Sequence, residues 1–288
     1  MKKELTHKEY KEMLSKYGFC YLGSTKSNPK VVKNTVVGNI LTYSVSLLQG
    51  DLSGYEVCAV AKNSTCRELC LGFSGHAKAS ILAFGVDASP VVRARGRKTR
   101  LFFENRDDFM NLLCYELKSA KRYADRLGMA FSVRLNCMSD LSPLAFHYKS
   151  NTENILEMFP DVQFYDYTKG FKRFELPEKY PNYNLTFSYD GNNWDNCVDL
   201  LERGFNIAVV FESPVIPVAW RGYPVINGIK TDLRYLDEQG GKIVYLLFHR
   251  PASSYKTGKY VRPNTPFVVM EDDPEITYAF KRGKSTDE

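Results

Sequence analysis

Hydrophobic and polar residues alternate in several short segments of the chain, with the period of two residues that is typical of half-buried β-strands. Segment 131–136 places Phe, Val and Leu on one face and Ser, Arg and Asn on the other. Segment 183–188 repeats the pattern, with Tyr, Leu and Phe opposite Asn, Thr and Ser. Strands that are buried on both faces between helices are usually apolar throughout. The alternation therefore predicts strands with one apolar and one polar face.

Helical and strand-like segments follow one another in a regular order. Apolar residues recur at helical spacing from Arg106 to Leu127, and a capping-box pattern at Thr6–Glu9 predicts an opening helix that runs to about Tyr17. Further elements are predicted as follows: strands at 40–47, 131–136, 162–166, 183–188, 206–211, 223–226, 242–248 and 266–270, and helices at 154–159 and 194–203. This order is typical of parallel strands that are joined by crossover helices.

The two patterns together predict an α/β fold, a partial or full (β/α) barrel with largely parallel strands and a polar lumen. Arg134 lies on a predicted polar face, so the lumen is expected to hold counter-charges, water or a ligand. The alternative interpretation is an antiparallel sheet with one face in solvent. We predict an N-terminal helix and loop over 1–35, the barrel-like domain over 36–250, and a C-terminal extension and tail over 251–288.

Composition and the first residues of the chain bear on its cellular location. No segment approaches the roughly 18 consecutive apolar residues of a membrane span, and segment 1–5 lacks the apolar core of a signal peptide. The chain has seven cysteines, an odd number, of which four are scattered along it, unlike a secreted disulfide framework. We therefore expect a cytoplasmic protein with reduced cysteines and no membrane partner.

Three clustered cysteines are the strongest candidate for chemistry. Cys58, Cys66 and Cys70 have the spacing Cys-x7-Cys-x3-Cys in a segment that follows the predicted strand 40–47. Three thiolates can hold three irons of a 4Fe-4S cluster and leave one iron open for a substrate or S-adenosylmethionine. His76 offers an alternative, because a fourth ligand would complete a closed, structural zinc site. A third interpretation is that the three cysteines are reduced and structural.

Polar side chains near the ends of neighbouring strands predict a ligand pocket, because active sites of such barrels lie at the carboxyl ends of the strands. The residues of this predicted pocket are Arg134, Asn136, Asp140, Asp166, Lys169, Thr186 and Ser188. Arg134 and Lys169 suit a carboxylate or phosphate, while Asp140 or Asp166 suits a ribose or amine. Each of these residues also has a plain structural interpretation.

A cationic stretch carries much of the net charge of +6. Its five cations are Arg93, Arg95, Arg97, Lys98 and Arg100. Such a stretch is a candidate for phosphate binding, either on a small molecule or on nucleic acid. The alternative is a solvated helix face or loop.

Several longer segments, read together, resemble the gene-product-88-like proteins of bacteriophages and prophages over roughly residues 36 to 248. The segments that carry the resemblance are 58–75, 98–103, 133–140, 159–169, 182–188, 208–211 and 225–237. This chain has Asn136-Cys-Met-Ser-Asp140 where relatives typically have Asn-Gly-Thr-Ser-Asp, and Ala59 where they have proline. The resemblance implies a phage origin, a host-cell cytoplasmic location and the cysteine site.

The cysteine loop also resembles the arrangement in radical S-adenosylmethionine enzymes, although their usual spacing is Cys-x3-Cys-x2-Cys. The leading hypothesis is an iron–sulfur enzyme of this kind acting on a nucleotide, nucleic acid or peptide. The second is a nucleic-acid-binding, replication-associated phage protein with structural zinc. The third is a host-interaction or virion protein without catalysis. The sequence predicts no oligomeric state.

Overall fold

The computed structural model describes residues 4–26, 29–62, 64–67, 69–249 and 265–279, with the side chains of residues 29, 30, 75 and 76 left out. The described helices are α1 (His7–Tyr17), α2 (Pro29–Gly38), α3 (Gly75–Phe84), α4 (Pro90–Glu104), α5 (Arg106–Arg126), α6 (Ile155–Met158), α7 (Leu176–Lys179) and α8 (Trp194–Glu202). The described strands are β1 (Gly23–Ser24), β2 (Ile40–Val45), β3 (Ala130–Arg134), β4 (Gln163–Thr168), β5 (Tyr183–Ser188), β6 (Ile207–Phe211), β7 (Ala219–Trp220), β8 (Tyr223–Asn227), β9 (Ile243–Leu247), β10 (Val268–Val269) and β11 (Ile276–Thr277).

These 11 strands form one mostly parallel sheet. Its order is β1-β2-β3-β4-β5-β6-β9-β8-β7-β11, and β10 adds to β6 beyond the end of β5. Strands β2 to β6, β9 and β8 run parallel, while the two-residue strands β1, β7 and β11 pair antiparallel. The predicted α/β class with largely parallel strands is confirmed, and the antiparallel alternative is wrong. Among the described residues, the path of strand pairing from β1 to β11 is open.

The pairing register gives the sheet a polar and an apolar face, as the alternation in the sequence predicts. Thr42 lies opposite Ser132, and Ser44 lies opposite Arg134, because the side chains of registered partners in a parallel sheet share a face. These four residues are buried, so the polar face is not in solvent. Helix α2 covers part of it, since the Asn34 amide donates to the hydroxyl oxygen of Thr42 at 2.9 Å.

The apolar face packs against α5, whose inward side chains belong to the main hydrophobic core. Phe109, Leu113 and Leu117 of this helix are fully buried. Burial of an apolar stripe is what stabilises an amphipathic helix in a protein. The N-terminal segment also joins this core through Tyr10 and Leu14 of α1.

Most predicted elements are present with shifted ends. The capping box at Thr6 and Glu9 begins α1, and the predicted helix 106–127 corresponds to α5. The sequence patterns predict no helix at α2, α3 or α7, and they leave a helix face and a loop as alternatives at α4. Of the predicted C-terminal extension, β10 and β11 join the sheet, and segments 250–264 and 280–288 lie outside the described residues.

None of the described helices is both long enough and apolar enough to span a membrane.

Candidate functional site

A cavity of about 1030 Å³ lies at the carboxyl ends of β2, β3 and β9. Ser46 directly follows β2, Arg134 ends β3, and Leu247 ends β9, and all three line the cavity. Residues of the N-terminal segment, of α2, α3 and α4, and of segment 228–232 also line it. Ligand sites of parallel α/β folds occur at this edge of the sheet, and their volumes are of this order.

Helix α4 forms the cationic wall of the cavity. Val91, Ala94, Arg95 and Lys98 line it, at the i, i+3, i+4, i+7 spacing of one helix face. Arg95 donates from its guanidinium to the carbonyl oxygen of Gly72 at 3.0 Å, and burial lowers the pKa of Arg95. This contact joins α4 to the loop that carries the cysteines.

Lys98 is the most unusual group on this wall, because only 7% of it is exposed. Its ammonium lies 4.7 Å from the ring centroid of Tyr21, and no hydrogen bond or ion pair joins it to a residue that the structure describes. Burial lowers the pKa of Lys98 to about 8, and the neighbouring charges of Arg95 and Arg97 lower it further, while Glu116 opposes the shift. Lys98 is therefore a buried cation without a counter-charge in contact.

The opposite wall holds a cation, Arg134, that forms an ion pair. The Arg134 guanidinium donates to the Asp232 carboxylate, which is 3% exposed on its side chain and lies between β8 and β9. The hydroxyls of Tyr165 and Tyr167 also donate to Asp232, each at 3.4 Å. The backbone N–H of Asp232 donates to the Asn34 side chain at 3.0 Å. Asp232 thus supplies the counter-charge expected for Arg134.

The cysteine loop lies between β2 and α3. It contains three short 3₁₀ turns: Cys66 lies within one of them, and Cys58 and Cys70 directly precede the other two. All three thiols are free and partly buried. Burial raises the pKa of Cys58 to about 11, and Asp140 and the Cys66 thiol add to this rise. Burial raises the pKa of Cys70 to about 12, and the thiols of Cys66 and Cys58 add to it. A negative charge on Cys66 would therefore disfavour the thiolate forms of Cys58 and Cys70.

Two groups around Cys70 favour its thiolate form. The backbone N–H of Gly72 donates to the Cys70 sulfur at 3.3 Å, and the positive charge of Arg95 acts to lower the pKa of the Cys70 thiol. A β-carbon at Gly72 would lie 2.3 Å from the Gln49 side chain, so any larger residue there would displace the Gln49 amide. Both polar atoms of the buried Gln49 amide have no hydrogen-bond partner among the described residues. The loop thus borders an unsatisfied polar group.

The three thiols of the cysteine loop are the candidate ligands for a metal ion or an iron–sulfur cluster. Three thiols are soft ligands that bind iron–sulfur clusters or zinc once they lose their protons. Within the described ranges, no group of three or more His, Cys, Asp or Glu side chains is arranged to hold a metal ion. His76 is the second residue of α3, but its side chain lies outside the described residues. The donor types fit a cluster, and their described arrangement is not a closed metal site.

Four other predicted pocket residues, Asn136, Asp140, Asp166 and Lys169, belong to a separate hydrogen-bond network beside the cysteine loop. Asp166 accepts from the backbone N–H of Asn136 at 2.8 Å and from its amide at 2.9 Å. Asp140 accepts from the backbone N–H of Lys169 at 3.0 Å and from Arg173 at 2.6 Å. Asp166 is registered with Leu185, so it lies on the apolar face, and burial raises its pKa to about 7.

This network braces the segment after β3 and does not line the cavity. The backbone N–H of Asp140 donates to the carbonyl oxygen of Val57 at 2.8 Å, next to Cys58. Thr186 and Ser188 lie on the polar face of β5, but they are not among the cavity-lining residues. Of the seven predicted pocket residues, the structure therefore brings Arg134 to the cavity and places the other six elsewhere.

The five predicted phosphate-binding cations lie on different faces of α4. Arg95 and Lys98 line the cavity. Arg97 is not among the lining residues, and it donates to the carbonyl oxygen of Gly18 at 2.7 Å. Arg93 and Arg100 are exposed. The stretch is therefore divided between an internal pair and an outer face.

Comparison with known proteins gave one match. A family model described as Gene product 88 matches residues 19–262, which confirms the resemblance found in the sequence segments. No curated protein and no solved structure matches the chain.

Proposed function

We propose that this chain, which belongs to the gene product 88 family of bacteriophage and prophage proteins, is an iron–sulfur enzyme of the infected host's cytoplasm. Cys58, Cys66 and Cys70 would hold a 4Fe-4S cluster. One observation carries the proposal: the three cysteines lie in one loop after β2, and this loop contributes Leu71 and Ser74 to the lining of the cavity at the carboxyl strand ends. That all seven cysteines are free supports a reducing compartment.

The chemistry follows from the ligand count. Three thiolates would leave one iron of a 4Fe-4S cluster open, and a bound cluster, reduced by an external low-potential donor, would supply the electron that cleaves S-adenosylmethionine into methionine and a 5′-deoxyadenosyl radical. The residues of the chain have simpler tasks. Arg95 and the Gly72 N–H stabilise the Cys70 thiolate, and the cavity beside them binds and orients the substrate.

We also propose that the sheet curves into a partial barrel whose lumen is the polar face. Two contacts support this. Asn34 of α2 binds Tyr165 of β4 at 3.2 Å, and Asp232 from the β8–β9 connection binds Arg134 of β3. Segments that are distant in the sheet order thus meet over the same face. The consecutive order of β2 to β6 is also that of barrel folds.

Metal analysis after anaerobic reconstitution tests the cluster. We expect about four irons and four sulfides per chain, and a visible absorption band that disappears in Cys66→Ala. Cys20→Ala is the matched control, because Cys20 is exposed and lies outside the cysteine loop. Stoichiometric zinc without iron would overturn the proposal, as would colour that survives in the Cys66 variant.

Product analysis tests the use of S-adenosylmethionine separately. The reconstituted protein, supplied with dithionite and S-adenosylmethionine, is expected to release 5′-deoxyadenosine and methionine in equal amounts. Cys66→Ala is expected to release neither. A full cluster without any 5′-deoxyadenosine would leave an iron–sulfur protein and reject this reaction.

The outer face of α4 favours a second candidate, a replication-associated protein that binds nucleic acid and holds structural zinc. Arg93 and Arg100 are exposed and stand seven residues apart, which places them on one helix face. Binding to DNA should then weaken steeply with salt. The double variant Arg93→Ala, Arg100→Ala is expected to flatten that dependence, and binding that is insensitive to salt would reject this candidate.

A further inference from the structure

The charges around the cavity are strongly unbalanced. Besides Arg134, five cationic side chains line it, namely Lys26, Lys33, Lys78, Arg95 and Lys98. They come from three parts of the chain: the N-terminal segment with α2, the start of α3, and α4. The carboxylate among the described lining residues is Asp232, and Arg134 already binds it. The cavity therefore presents a positive potential to any molecule that enters it.

Lys98 shows that this charge has a use beyond folding. A buried ammonium is costly unless it is paired, and buried lysines are normally paired. Lys98 is buried, and the described residues give it an aromatic ring face but no carboxylate. A ligand that brings its own negative charge would complete this site. The same ligand would meet Arg95, one helical turn before Lys98.

The rest of the lining describes the remainder of the ligand. Tyr21, Leu71, Val91 and Leu246 give the cavity apolar and aromatic walls beside the cations. A volume of about 1030 Å³ is far larger than an inorganic anion needs and lies at the upper end of ligand pockets. The cavity thus combines a multiply charged anion site with room for an organic moiety.

We propose that this cavity binds a phosphorylated organic molecule of nucleotide size, with Lys98 and Arg95 holding its phosphate. A phosphate dianion suits this wall better than a carboxylate, because several cations converge there and arginine binds phosphate through more than one N–H. The inference that this molecule is the substrate of the proposed enzyme rests on the proposed function, whereas the binding itself requires no cluster.

Calorimetric titration of the full chain with AMP, adenosine and inorganic phosphate tests the proposal. We expect AMP to bind at least tenfold more tightly than either adenosine or inorganic phosphate. Lys98→Met is expected to weaken AMP binding at least tenfold and to leave adenosine binding within about twofold. Lys149→Met is the matched control, since Lys149 is exposed and lies outside the cavity lining, and it should bind AMP like the parent.

Three results would overturn the inference: no binding of AMP, equal binding of AMP and adenosine, or parental binding of AMP by Lys98→Met. Lys78→Met provides a second variant at the rim, expected to weaken AMP binding about threefold even if Lys98→Met does not fold. Repeating the titration on Cys66→Ala separates the two proposals. AMP binding that is retained in the colourless variant shows that the cavity binds without the cluster. A parent protein that takes up iron but binds no AMP would leave the cluster and overturn this inference, and a parent that binds AMP but takes up no iron would do the opposite.

Discussion

Two buried charges on neighbouring helices have opposite surroundings. Glu116 of α5 and Lys98 of α4 are each 7% exposed. Glu116 accepts four hydrogen bonds of 2.5 to 2.8 Å, whereas no hydrogen bond or ion pair joins Lys98 to a described residue. The donors to Glu116 are the hydroxyls of Tyr10 and Tyr43 and the backbone N–H groups of Leu22 and Gly23.

The difference teaches how to tell a structural charge from a functional one. Glu116 holds the N-terminal segment against β2, and all of its partners are supplied by the chain itself. Such a carboxylate is complete and needs no ligand. Burial removes water from Lys98, and no described residue compensates with a hydrogen bond or an ion pair. Lys98 also faces the cavity. A charge of this kind is retained for what enters the cavity, as buried groups with perturbed pKa values often are at functional sites.

The largest expected effect comes from breaking the satisfied charge. Glu116→Gln is expected to lower the free energy of unfolding by about 3 kcal/mol or more, because several buried donors lose a charged acceptor at once. Urea denaturation followed by circular dichroism measures the loss. Glu12→Gln is the control, since Glu12 is exposed, and its effect should stay within about 0.5 kcal/mol. A loss below about 1 kcal/mol for Glu116→Gln would remove the contrast.

The sequence carries the information for the structural side of this comparison better than for the functional side. The period of two in 131–136 and 183–188 predicts the polar faces of β3 and β5, because alternation is a local property. The sequence pattern does not predict helix α2, since four of its ten residues are β-branched valines that favour strands. Burial of Val31 and the bonds of Asn34 fix it as a helix, and these contacts are tertiary.

The candidate site shows a similar division. The loop position of the cysteines follows from its place after a strand, and the need for a counter-charge follows from Arg134. The identity of that counter-charge, Asp232, depends on a contact across 98 positions and is not readable locally. Asp166 was assigned to the pocket, although its spacing of two from Phe164 places it on the apolar face. Helical spacing likewise separates Lys98 from Arg97 and Arg100.

The next effect, of opposite sign, comes from removing the unsatisfied charge. Lys98→Met is expected to raise the free energy of unfolding at pH 7 by about 1–2 kcal/mol, because methionine fills similar space without a buried charge. The pKa of Lys98 is lower in the folded than in the unfolded protein, so the penalty is complete below pH 8 and disappears as pH rises to 10.5. The difference in the free energy of unfolding between Lys98→Met and the parent should therefore narrow as pH rises from 8 to 10.5.

Urea denaturation of both proteins at pH 7 and at pH 10 measures this difference. Lys149→Met controls for the loss of a lysine charge at the surface and should change stability by less than about 0.5 kcal/mol. A destabilised Lys98→Met would mean that Lys98 is satisfied after all and belongs with Glu116.

The smallest expected effect is the pH dependence of anion binding. Sulfate stays a dianion over the whole range, so a change in its affinity reports the protein. Lys98, whose pKa lies at about 8, loses its proton between pH 7 and pH 9, and sulfate affinity should fall about fivefold. The charged or titratable groups acting on Lys98 are Glu116 from α5, Arg95 and Arg97 from α4, and Cys20 from the N-terminal segment.

Titration of sulfate into the parent and into Lys98→Met at both pH values isolates the role of this one group. The variant should bind weakly at pH 7 and should lose little more at pH 9, because its remaining cavity cations are common to both proteins. If the variant shows the same fivefold fall, another group titrates and Lys98 does not hold the anion. If the parent shows no fall, the charge on Lys98 does not contribute to binding, and the contrast with Glu116 would then concern stability alone.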